Sequence, residues 1–92
     1  MKTIKINDIE FPKELTLTYG KKGDTEWLIW EGGGKGITIQ RHKNKPFHIF
    51  IFEGRRAMIY NTHKTITEAF KDLESLGFKV KLTEKIILIK YE

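Results

Sequence analysis

The sequence predicts an α+β fold: a mainly antiparallel, twisted sheet of five to seven strands, with one helix at about residues 66–76 packed on one face. Three observations predict it. Apolar residues alternate with polar ones over most of the chain, the period of a strand with one buried face. Turn-forming residues punctuate that alternation at short intervals. A single segment near the carboxyl end has helical spacing instead. Ninety-two residues make a single domain, 1–92. A chain of this size buries roughly 60–70% of its unfolded surface, enough for one core without staples.

Each element has its own signature. Ile4 and Ile6 alternate with lysines, and Asn7-Asp8 offers a turn. Leu15, Leu17 and Tyr19 alternate with polar positions until Gly20-Lys21-Lys22-Gly23-Asp24 ends the run. Trp27-Leu28-Ile29-Trp30 is a short apolar strand that places its two tryptophans on opposite faces. Gly32-Gly33-Gly34-Lys35-Gly36 reads as a flexible hairpin tip. It has neither the spacing of a phosphate-binding loop nor a following helix.

The next strands can be aligned against each other. Ile37–His42 and Phe47–Glu53 flank the loop Lys43-Asn44-Lys45-Pro46. A four-residue loop sets Arg41 opposite His48, Ile39 opposite Phe50 and Ile37 opposite Phe52. Four large apolar side chains then share a face. Gly54-Arg55 suits a two-residue hairpin, pairing Glu53 with Arg56, Phe52 with Ala57 and Phe50 with Ile59. In this register Phe47 and Tyr60 lie on the opposite face, and His42 and His48 point to different sides.

Thr65-Ile66-Thr67-Glu68 matches a capping box. Ile66, Ala69, Phe70, Leu73 and Leu76 form one helical stripe, and Gly77 stands where a left-handed cap is wanted. Phe78, Val80 and Leu82, then Ile86–Tyr91, return to strand patterning. One short helix covers only part of such a sheet. The second face is therefore curled, covered by the amino-terminal strands, or used for binding.

Charge is concentrated in the middle of the chain. Residues 33–65 hold Lys35, Arg41, Lys43, Lys45, Arg55, Arg56 and Lys64 against Glu53 alone. The stretch is thus +6 in a chain of net charge +5, and the remainder sums to −1. All three histidines, His42, His48 and His63, lie there as well. Clustered like charge repels itself and favours a partner of opposite sign, commonly a nucleic-acid backbone. Cysteine is absent, which removes disulfides and thiolate metal sites. No cofactor and no metal site is expected. Apolar runs are too short to span a bilayer and no signal-peptide core opens the chain, so a cytoplasmic protein without membrane contact is expected.

The favoured functional reading is a small, non-enzymatic nucleic-acid-binding protein. Arg41, Lys43, Lys45, Lys64, Arg55 and Arg56 would contact phosphates, His42 belongs to the same binding set, and Phe47 or Tyr60 would stack on bases. The alternative is a protein-interaction module, an inhibitor or accessory protein of the kind mobile elements encode. Trp27 and Trp30 would anchor it. A homodimer across an open edge strand is compatible with either. A third reading is a small endoribonuclease using His42, His63, Arg41 and Tyr60 for acid–base work and charge stabilisation. The layout of Ile37–Tyr60 followed by Thr65-Ile66-Thr67-Glu68-Ala69 is loosely similar to small DNA-binding domains of AP2 type and of integrase amino-terminal arms. Their sheet enters the major groove. The aliphatic residues of the present sheet and the strands at both ends depart from that pattern, and no residue role is carried over.

Overall fold

The computed structural model describes residues 2–83. A first hairpin joins β1 (Thr3–Ile6) to β2 (Ile9–Pro12) through Asn7 and Asp8. Both turn residues have positive φ, 47° and 74°, which the twist of a two-residue hairpin demands and which Asn and Asp tolerate. The main sheet follows: β3 (Glu14–Lys22), β4 (Thr25–Gly32), β5 (Lys35–His42), β6 (Phe47–Glu53) and β7 (Arg56–His63), each antiparallel to the next. After α1 (Ile66–Ser75), β8 (Lys79–Leu82) returns beside β3 and parallel to it. The six strands run in the order β7-β6-β5-β4-β3-β8. The expected strand over 86–91 lies outside the described residues.

The helix begins as its sequence requires. The Thr65 hydroxyl accepts from the Glu68 amide at 3.1 Å, and Glu68 reaches back to the Thr65 amide at 3.3 Å. Gly77 closes the helix with φ of +105°, a conformation closed to most side chains. Ile66, Ala69 and Leu73 are buried. They join the hairpin residues Ile6, Ile9 and Phe11 and the strand residues Leu15, Leu17, Leu28, Ile37 and Ile39 in one core. Helix and amino-terminal hairpin thus cover the same face of the sheet. The hairpin's reach is marked by Phe11, whose ring meets Trp30 edge-on at 6.2 Å, and by Asn7, whose amide donates to the Met58 sulfur at 3.4 Å.

The β5–β6 register differs from the sequence expectation by one residue. Gln40, not Arg41, faces His48; Thr38 faces Phe50 and Ile37 faces Ile51. The connection takes up the extra residue: Lys43 adopts φ of 50°, and its amide donates to the Asp24 carbonyl at 2.7 Å. One slip reverses every side chain of a strand. Phe47, Ile49 and Ile51 therefore join Ile37 and Ile39 in the core, five large side chains at most 1% exposed. Phe50 and Phe52 turn outward. The β6–β7 pairing is as expected, with Glu53 facing Arg56, Phe52 facing Ala57 and Phe50 facing Ile59. Beyond it Ile49 faces Asn61, so Tyr60 is an extra, bulged residue. No helix among the described residues is long and apolar enough to cross a membrane.

Candidate functional site

The outer face of the sheet, opposite helix and hairpin, can be written out row by row from the strand register. At one end Lys22, Thr25 and His42 lie side by side. The next row is Gly20, Trp27, Gln40, His48 and Thr62; then Thr18, Ile29, Thr38, Phe50 and Ile59; then Glu31, Gly36, Phe52 and Ala57. The two middle rows hold no carboxylate, ammonium or guanidinium. Ile59, 52% exposed, is the most exposed large apolar side chain described.

Two rings on this face lie over glycines. A methyl group placed on Gly20 would fall within 2.7 Å of Cζ2 of Trp27, in the body of the indole. One placed on Gly36 would fall within 2.7 Å of Cε1 of Phe52. Glycine at the cross-strand position lets each ring approach the backbone closely. Trp27 and Phe52 are both half-buried. Between them stand the imidazole of His48, bonded through Nδ1 to the Thr62 hydroxyl at 2.8 Å, and Phe50, 5.9 Å from that imidazole. His42 is fixed similarly, its Nδ1 3.1 Å from the Thr25 hydroxyl. The corrected register thus places His42 and His48 on one face rather than two. Among the described residues no group of three His, Asp or Glu is arranged to hold a metal ion.

The residues singled out in the sequence divide between the two faces. Arg41 points inward. Its Nε lies 3.6 Å from Glu26 Oε1, and its guanidinium sits 4.6 Å from the centre of the Phe47 ring. Tyr19 donates to the other oxygen of Glu26 at 2.7 Å. Phe47 is core, not a stacking surface on the open side. Trp30 is inward and Trp27 outward. Lys43 pairs with Asp24 at 3.6 Å, and Arg56 with Glu53 at 3.9 Å. Lys45, Arg55 and Lys64 are exposed. The turns bring these cations to the two ends of the strands, with Lys43, Lys45 and Lys64 at one and Arg55 and Arg56 at the other. Lys21 and Lys22, from outside the basic stretch, join the first end through the β3–β4 turn.

Known protein families, curated proteins and solved structures give no match to the chain.

Tyr60, Asn61 and His63 meet the helix at Asp72. Asn61 Nδ2 donates to Asp72 Oδ2 at 2.8 Å, and His63 Nε2 lies 2.7 Å from the same oxygen. The bulge thus ties β7 to α1. Of the residues in the endoribonuclease reading, Tyr60 and His63 meet at Asp72, while Arg41 is held by Glu26 and His42 by Thr25. Burial first, then the charge of Asp72 and its hydrogen bond, hold the Tyr60 hydroxyl above its ordinary pKa of 10.0. Below that value both folded and unfolded chains keep the phenol proton, and the contribution to stability is intact. As pH rises through the raised folded value the unfolded chain has already ionised, and stability is lost. Tyr60→Phe is expected to flatten the fall in urea midpoint above pH 10 relative to the parent. Equal slopes would show that this phenol does not couple to folding.

Proposed function

We propose that the open sheet face binds single-stranded nucleic acid without catalysis. The observation that carries this reading is the pair of rings, Trp27 and Phe52, laid over Gly20 and Gly36 on a face whose middle rows carry no formal charge. Bases stack on such rings whatever their sequence, at about 1–3 kcal/mol per base. Gln40 and His48 stand between the rings and offer donors and acceptors to base edges. Lysines and arginines at both strand ends supply the counter-charge for phosphates. An aromatic-bearing sheet face is a common platform for single-stranded RNA. A duplex would bury its bases away from these rings, so single strands are preferred.

The test is a fluorescence titration with twelve-residue oligo-dT, oligo-rU and a duplex of equal length, from low to physiological salt. Single-strand binding is expected, with log K falling by roughly 2–3 per decade of salt if three or four phosphates are neutralised. A preference for duplex, or no binding at low salt, would overturn the reading. A charge-poor aromatic centre inside a polar rim also suits a protein interface. That reading takes over if the face instead captures a protein whose complex survives high salt and is lost in Trp27→Ala.

A further inference from the structure

Three of the seven basic residues most conspicuous in the sequence are already paired. Arg41, Lys43 and Arg56 each face an acid within 4 Å. A different set of cations is gathered at the far corner of β3 and β8, where a cavity of about 560 Å³ is lined by Lys2, Pro12, Lys13, Glu14 and Lys79. Backbone hydrogen bonds bring the three lysines together. The Lys13 amide donates to the Lys2 carbonyl at 3.2 Å, and the Lys79 amide donates to the Lys13 carbonyl at 2.8 Å. Residues from three separate parts of the chain are thereby fixed side by side. None of the three ammonium groups forms an ion pair with a described acid. Among the described residues, Glu14 is the only carboxylate lining the cavity. Three ammoniums held around one concavity repel each other, and an anion with several negative oxygens relieves that repulsion.

The corner is continuous with the open face. Lys79 faces Glu14 and Lys81 faces Thr16 across the parallel β3–β8 pair, on the side opposite the buried Leu15 and Leu17. Among the described residues, every lysine of the outer face, Lys22, Lys79 and Lys81, therefore belongs to β3 or β8. The outer positions of β5, β6 and β7 carry only neutral side chains and two imidazoles. The face is divided lengthwise: lysines along one margin, rings and aliphatic groups over the rest.

We infer that the Lys2–Lys13–Lys79 cavity is a phosphate site, and that a bound single strand runs its phosphates along β3 and β8 toward it with its bases over β4, β5 and β6. The direction of the strand rests on the reading above; the phosphate site stands independently of it. The free-anion probe is inorganic pyrophosphate, followed by amide chemical shifts of the whole chain, with oligo-dT titrated in parallel. Pyrophosphate is expected to shift Lys13, Glu14 and Lys79. Paired Lys13→Glu and Lys79→Glu substitutions are expected to weaken it by at least ~30-fold, from four units of charge change several ångströms from the anion. Glu14→Gln should tighten it by about threefold on the same basis. That gain of binding cannot come from a damaged fold. Pyrophosphate that leaves the corner amides unmoved, or a Glu14→Gln variant that binds no more tightly, overturns the site. Oligo-dT that shifts Trp27 and Phe52 but not the corner overturns the direction and leaves the proposed function standing. Pyrophosphate bound at the corner with no oligonucleotide bound at the rings removes the function and keeps the site.

Discussion

Phe47→Ala is expected to destabilise the domain by about 3–5 kcal/mol, the cost of emptying an aromatic site in a packed core. Phe47 is 1% exposed and belongs to the same cluster as Ile37, Ile39, Ile49 and Ile51. Its ring also lies beneath the Arg41 guanidinium, which is paired with Glu26 where both side chains are nearly enclosed, 12% and 7% exposed. Removing the ring loses the apolar contact, leaves a cavity and strips one wall from a charge pair that depends on its surroundings. Domains of this kind are stable by about 5–15 kcal/mol, so the loss is a large share of the total. A urea unfolding curve reads it directly. At low temperature, the folded fraction of the variant should bind oligonucleotide about as well as the parent, because Phe47 faces away from the open side. A variant of undiminished stability that no longer binds would put Phe47 at the ligand instead.

What the sequence made legible follows from how local each signal is. The capping box at Thr65–Glu68, the Gly77 stop and the Asn7-Asp8 turn need only a few neighbouring residues to be read, and each is present in the structure. The Gly54-Arg55 hairpin is equally local, and its three expected pairs are observed. The β5–β6 register was not legible, because Phe47-His48-Ile49-Phe50-Ile51-Phe52 is apolar on both faces and alternation alone cannot choose between them. The choice rests on filling the core against the hairpin and helix, contacts made at long range. The same slip decided the candidate site. It moved Phe50 and Phe52 from the expected core to the open face, and Phe47 in the other direction. Alternation set Trp27 and Trp30 on opposite faces without choosing the outward one, and the seat of Trp27 over Gly20 depends on the β3–β4 pairing. Charge was misleading for a related reason. The acids that occupy Arg41 and Lys43 are Glu26 and Asp24, which precede the basic stretch in sequence and reach it only across the sheet. The corner of Lys2, Lys13 and Lys79 could not be seen at all, since a parallel return of β8 is needed to create it.

The combined substitution Trp27→Ala with Phe52→Ala is expected to weaken oligonucleotide binding by at least ~30-fold, taking the lower end of about 1 kcal/mol per stacked base for two rings. Stability should change less than in Phe47→Ala, because both rings are half-buried and their removal opens no enclosed cavity. Some loss is still expected, as each ring shields a strand glycine from water. Trp27→Leu with Phe52→Leu separates the two effects: leucine restores much of the apolar cover over Gly20 and Gly36 but offers no flat surface to a base. Affinity should therefore stay low in the leucine pair while the urea midpoint recovers. The salt dependence discriminates further. Losing rings removes a salt-independent part of the binding energy, so log K should drop by a constant amount with its slope against log salt unchanged. Reversing the charges of Lys13 and Lys79 should instead reduce the slope. A ring-deleted protein that binds within threefold of the parent, or whose slope falls along with its affinity, would mean that the bases do not lie on this face.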